Sequence, residues 1–222
     1  MRGMSISIVI TAIITGHLGA NLTDWYGLPP DHDHAGRVML PVLCHHVSLP
    51  GRSVLVDAAA CEPAVSGLTA TDPVGPTLPE RLAAAGVEAR SISDVVITHA
   101  HFDHYNALTD WVGESFAPIF PNARHYLGAA DWRPEHFGGL EKRTLEVVCR
   151  RGLLQLVEGT ANLGDGLTLL YAPGETPGHQ ILRVEAEDPV AYFAGDLYHH
   201  PLEFSETRNV RWADQDAMRT SK

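Results

Sequence analysis

Between His99 and His104 the sequence places three histidines and an aspartate within six residues, directly behind the apolar run Val95-Val-Ile-Thr98. No other stretch constrains the fold as much. A short run rich in β-branched residues reads as a buried strand, so the cluster occupies the loop into which that strand opens. In extended chain, side chains two apart leave on the same side, and His99 and His101 can therefore reach one ion. Asp103 and His104, in the turn just beyond, offer one oxygen and one nitrogen to a second ion nearby. Imidazole together with carboxylate suits zinc, whereas iron–sulfur clusters want thiolates and calcium wants more oxygen ligands.

The rest of the chain accommodates such a site. With 222 residues, 45% of them hydrophobic, it can build one sizeable core without disulfides, and residues 1–222 read as one domain. Its 27 acidic against 16 basic side chains give a formal net charge of -11. That charge repels phosphate backbones and anionic lipid surfaces, so neither nucleic acid nor membrane is an expected partner. Cys44, Cys61 and Cys149 are scattered and odd in number, which fits a reducing, cytoplasmic setting better than a disulfide framework. The start, Met1 to Asn21, could be read as a secretory signal from Arg2 and its apolar stretch. Its β-branched residues, broken by Ser5, Ser7, Thr11 and Thr15, suit a first strand better.

Further along, the runs 38–49 and 53–59 flank Pro50-Gly51-Arg52 as a hairpin, with Asp57 closing the second strand. Pro79 suits the first turn of a short helix around Glu80 to Ala85. Residues 140–152 read as one amphipathic helix, and 123–132, 167–174, 180–186 and 191–196 each carry a strand pattern. Strands outnumber helices, which predicts an α+β sandwich with helices outside the sheets.

Two later stretches share the style of a strand followed by a small-residue turn bearing one ligand. His179 follows Pro177-Gly178, and Asp196 follows Ala194-Gly195 at the end of an apolar strand. Glycine lets the backbone bend tightly and approach an ion, and a carboxylate at a strand end can bridge two cations. Together, the sequences THAHFDH, APGETPGH and FAGD resemble the successive metal motifs of the metallo-β-lactamase-fold hydrolases, over most of the chain from about Val38 to Asp196. The HxHxDH motif is the most specific of the three.

The resemblance implies an αββα sandwich with two zinc ions at one edge. It places His99, His101 and His179 on the first metal, Asp103 and His104 on the second, and Asp196 between them. Asp57 corresponds to an aspartate that orients ligands from behind, and Tyr198 is a candidate to point its hydroxyl into the pocket. Asp103 is the candidate to orient the attacking water and pass on its proton. The implied activity is hydrolysis of a small ester or lactone by a metal-bound hydroxide, as in the lactonase and organophosphate-hydrolase-like branch.

Two departures from the family pattern stand out. Tyr105-Asn106-Ala107-Leu108 replaces the glycine pair that often follows the first motif. Relatives usually supply one more histidine to the second metal well after the bridging aspartate, and no histidine follows His200. The fold is accordingly expected to be C-terminally incomplete, with a polar tail that finds little to pack on and an apolar surface that a second copy of the chain could cover. His199 and His200 read as pocket-wall or surface residues. The alternatives that follow are a catalytically weak or silent metal-binding protein, and a mononuclear iron thiol-persulfide dioxygenase using His99, His179 and Asp196.

Overall fold

The computed structural model describes residues 8–60, 75–185, 190–206 and 208–222. Cys61, the start of the loop before Pro79 and the serines at 5 and 7 lie outside the described residues. Strands β1 (Val9–Asn21), β2 (Arg37–Leu49), β3 (Arg52–Val56), β4 (Asp94–Val96), β7 (Arg124–Gly128) and β8 (Leu154–Val157) form one sheet, in the order β1-β2-β3-β4-β7-β8. β1, β2 and β3 pair antiparallel, while β3, β4, β7 and β8 run parallel. A second, antiparallel sheet has the order β12-β11-β10-β9, from β9 (Ala161–Gly164), β10 (Leu167–Tyr171), β11 (Gln180–Glu185) and β12 (Val190–Phe193). β5 (Thr109–Val112) and β6 (Ser115–Pro118) make a separate hairpin that the sequence pattern did not reveal.

Side-chain alternation explains why the sheets stack. Val54 and Val56 of β3 and Val96 of β4 meet Leu167, Leu169, Leu182 and Val184 of the second sheet, all buried. The residues between them, Leu55 and Val95, face the other way into a core of helices. Strands buried on both faces read as continuous apolar runs, and each such leucine or valine contributes roughly 1.5–3 kcal/mol by leaving water. The helices against that outer face are α2 (Leu78–Ala84), α3 (Phe102–Tyr105), α4 (Gly139–Arg143) and α5 (Leu145–Arg150), contributing Leu78, Leu82, Tyr105, Leu145 and Val148. α2 starts at Thr77, which forms a capping box with Glu80, and has Pro79 in its first turn.

Two expectations are corrected. The helix read over 140–152 is broken into α4 and α5 at Thr144, whose φ of -116 and ψ of -86 leave the helical region and whose hydroxyl instead donates to Leu140 O. The tail also has a partner surface. Val210, Ala213 and Met218 are buried with Leu22, Tyr26 and Leu28, bringing α7 (Gln215–Ser221) together with α1 (Leu22–Tyr26) and α6 (Leu202–Ser205). Ile181, on the outward side of β11, packs against this cluster.

Candidate metal centre

Because β3, β4 and β7 run parallel, the chain leaves all three at the same edge of the sheet, where open α/β sheets collect their ligands. Asp57 follows β3, Thr98 to His104 follow β4 and lead into α3, and Asp131 follows β7. The second sheet adds the loop 172–179 between β10 and β11, and the turn Gly195–Leu197 after β12.

These segments bring His99, His101, Asp103, His104, His179 and Asp196 to a common focus. His99 Nε2 lies 2.9 Å from His101 Nδ1 and 3.9 Å from Asp196 Oδ2. The other oxygen of Asp196 lies 3.4 Å from His104 Nε2, which is itself 3.9 Å from Asp103 Oδ1. One carboxylate thus spans two groups of donors. The His179 ring centroid is 5.1 Å from that of His99. Its Nδ1 is held by the carbonyl of Ala172 at 3.0 Å, which leaves the buried Nε2 without a hydrogen-bond partner.

Behind these side chains lies a frame of hydrogen bonds. Asp57 Oδ1 accepts from Thr98 N at 2.8 Å, and Oδ2 pairs with His104 Nδ1 at 2.9 Å. Asp57 does this from a positive φ of 60, a strained conformation for a side chain without a turn to excuse it. Asp131, which the sequence did not single out, is buried and ties the two histidine loops together. Its oxygens accept from Ala100 N at 3.0 Å, Thr176 Oγ1 at 2.6 Å and Gly178 N at 2.7 Å. Gly195 also has positive φ, 52, and a Cβ there would stand 2.7 Å from Thr98 and 3.1 Å from His179 Nε2. Only glycine lets the Asp196 turn come this close.

The sequence reading also missed Glu175 and misplaced His199. Glu175 is buried, with Oε1 3.2 Å from His101 Nδ1 and accepting from Trp212 Nε1 at 2.6 Å. His199, read as pocket wall or surface, turns its ring into the cluster, with Nε2 3.3 Å from Asp196 Oδ2 and 3.6 Å from Glu175 Oε1. His200 stays partly exposed, its Nδ1 accepting from Leu202 N at 3.2 Å. Tyr198 borders the same cavity, but its ring stacks on Phe204 with centroids 4.1 Å apart. The signal for Glu175 was its position four residues before His179 in the same glycine-bearing turn. For His199 it was the spacing of three from Asp196.

The electrostatics follow from crowding. Burial, reinforced by His104 and the other imidazoles, holds His99 well below the usual range, in the neutral form that can donate a lone pair. Burial likewise lowers His179. Against their own burial, His104 is raised by Asp196 and Asp57, and Asp196 is held well below the carboxylate range by His104 and His199. Burial raises Asp103, with Asp196 adding to the effect. Despite burial, His101 and His199 bring Glu175 down to about 2.

This donor set fits a divalent cation. The ligand atoms of His99, His101, Glu175 and Asp196 all lie within 4.8 Å of one another. His179 Nε2, His199 Nε2 and Glu175 Oε2 are buried without hydrogen bonds, a costly state unless something charged or polar completes them. Beside the cluster is a cavity of about 470 Å³, lined by Asp103, His104 and Asp196 and by the apolar Leu18, Leu40, Pro41, Leu43 and Phe193.

Comparison with known proteins adds an independent line. The sequence model of the metallo-beta-lactamase superfamily matches residues 40–213. An N-acyl homoserine lactonase of Bacillus cereus is 28% identical over 160 residues, an alignment covering 67% of this chain and 60% of the relative. The chain therefore spans about 60% of the length of the curated relatives it matches first. A structure of N-acyl homoserine lactone hydrolase, with the product N-hexanoyl-L-homoserine at its catalytic metal centre, superposes with a TM-score of 0.75 at 18% identity, over 98% of this chain and 86% of the other. AidC, described as a dizinc quorum-quenching lactonase, superposes with a TM-score of 0.71 at 16% identity, over 98% and 82%. At such identities the likeness establishes the fold, an α+β sandwich.

Proposed function

Because the chain belongs to the metallo-beta-lactamase superfamily, we propose that it is a zinc-dependent hydrolase that opens a small lactone or ester carrying an apolar tail. The observation that carries this reading is the convergence of His99, His101, Glu175 and Asp196, with ligand atoms within 4.8 Å of one another, beside a cavity lined by carboxylates and apolar side chains. His99, His101 and His179 would hold one ion, Asp103 and His104 a second, and Asp196, with one oxygen facing each group, would lie between them. Zinc bound there would supply Lewis acidity for a carbonyl and draw the pKa of a water towards neutrality. The dizinc description of AidC and the lactonase relatives support the choice of metal and substrate class.

The chain's own residues divide the remaining work. Asp103 borders the cavity, and its burial raises its affinity for a proton. That suits it to orient the attacking water and take up the proton it loses. Leu18, Leu40, Pro41, Leu43 and Phe193 bind the apolar tail and exclude water from the reacting carbonyl. Tyr198 borders the same cavity and would meet the substrate's polar head only if its hydroxyl turns inward from its stack on Phe204. Asp57 and Thr98 hold His104 and His99 in the orientation they need.

The test is turnover of the zinc-loaded chain on N-acyl homoserine lactones and aryl esters of graded tail length, read as acid release. Lactone opening that strengthens with tail length is expected. A folded, zinc-loaded chain that turns over none of the series would contradict the enzyme reading and leave a silent metal-binding protein. Oxygen consumption by the iron-loaded chain with a persulfide would replace it with a dioxygenase.

A further inference from the structure

His199 is held unlike an ordinary buried histidine. Its Nδ1 lies 3.2 Å from Glu203 Oε1, and Glu203 is itself buried and fully engaged. The same oxygen accepts from Tyr26 Oη at 2.5 Å and from the His199 backbone N–H at 3.2 Å, and Lys222 Nζ donates to the other oxygen. A carboxylate surrounded by donors stays ionised, so the Nδ1 facing it carries the proton. Trp25 and Trp212 meet the ring edge-on, with centroids 5.8 Å and 5.7 Å away, so it cannot swing out of place.

The far side of the ring is the informative one. Nε2 is buried and makes no hydrogen bond, although Asp196 Oδ2 is 3.3 Å away and Glu175 Oε1 3.6 Å away. Without a metal, and against its burial, these carboxylates, with Glu203, hold the ring protonated, raised to about 12. A cation between the two carboxylates would take the place of that proton, and Nε2 already points there with a carboxylate backing its other nitrogen, the arrangement usual for metal-bound histidine.

We propose that His199 is a further metal ligand of this centre, entering through Nε2 on the His99 side of Asp196, with Glu203 as the positioning residue that holds its Nδ1–H. The proposal rests on the metal-centre reading above and extends it to residues that the family motifs did not assign. It gives the centre a nitrogen donor anchored to the tail of the chain, through Glu203 and Lys222, rather than to the strand edges.

The test uses the whole chain with isotope-labelled histidine, titrated with a spin-active cadmium isotope. Metal–nitrogen coupling is expected at Nε2 of His199 as well as at His99 and His101. Coupling at His99 and His101 with none at His199 would overturn this proposal and leave the metal centre standing. Coupling at none of the three would overturn both. Zinc affinity by chelator competition gives a second readout. His199→Ala should weaken one ion by about 10–100-fold and Glu203→Gln by about tenfold, while the exposed His136→Ala leaves it unchanged. Wild-type affinity in a folded His199→Ala chain would also overturn the proposal.

Discussion

His101 is the residue at which fold and function separate most cleanly. Its side chain is 39% exposed, so removing it costs little packing, yet its Nδ1 sits between His99 and Glu175. His101→Ala is expected to lose metal and lactone turnover together while the melting temperature moves by only a few degrees. Full turnover in that variant would contradict the ligand assignment. Asp131 makes the opposite case, since it touches no ligand atom of the cluster but accepts from Ala100, Thr176 and Gly178. Asp131→Ala strands those donors, at a cost on the order of 3 kcal/mol for the group. Urea unfolding should show that loss, and zinc affinity should fall with it, because two ligand loops are no longer tied.

At the scale of elements, the parallel strands have two ends with different duties. Opposite the metal edge, Asp94 at the start of β4 is fully buried and pairs with Arg52 of β3 at 2.8 Å and Arg124 of β7 at 3.1 Å. Against its burial, Arg52, Ser93 and Arg124 hold its carboxyl below the usual range. A depressed folded-state value stabilises the protein above the unfolded carboxylate range of about 4, and this contribution is lost as pH falls through the folded value. The melting temperature should therefore drop on acidification between about pH 5 and pH 2, and the acid limb should be shallower in Asp94→Asn. An equally steep limb in the variant would exclude Asp94 as its source.

The same scale explains what the sequence could reveal. β4 and the His99–His104 cluster were legible because strand and ligands are adjacent in the chain, as are Gly178-His179 and Gly195-Asp196 with their strands. Asp131 and Glu175 were not, since their partners lie far away in sequence: Asp131 reaches across 47 residues to Gly178, and Trp212 across 37 to Glu175. His199 has Asp196 and Glu203 close by in the chain, but the side to which its ring turns is set by Trp25 and Trp212, packed against it from distant segments. The break at Thr144 escaped a reading by periodicity, because residues on both sides of it keep the apolar spacing of one helix.

For the whole molecule, the tail beyond His200 is part of the frame around the candidate metal centre. Trp212 holds Glu175, Lys222 holds Glu203, and Met218 is fully buried against the loop at Gly174. Met218→Ala should cost about 2–5 kcal/mol as a cavity forms. Zinc should be released at lower denaturant than the main unfolding transition if that cluster loosens first. Coincident transitions would show that tail and sandwich unfold as one unit. The central claim is that loops from two sheets and a C-terminal segment enclose metal ions. Elemental analysis of the chain purified without chelator, beside His99→Ala, tests it most directly. Two zinc equivalents in the wild type and a clear deficit in the variant are predicted; a folded wild-type chain that holds no metal would contradict the account.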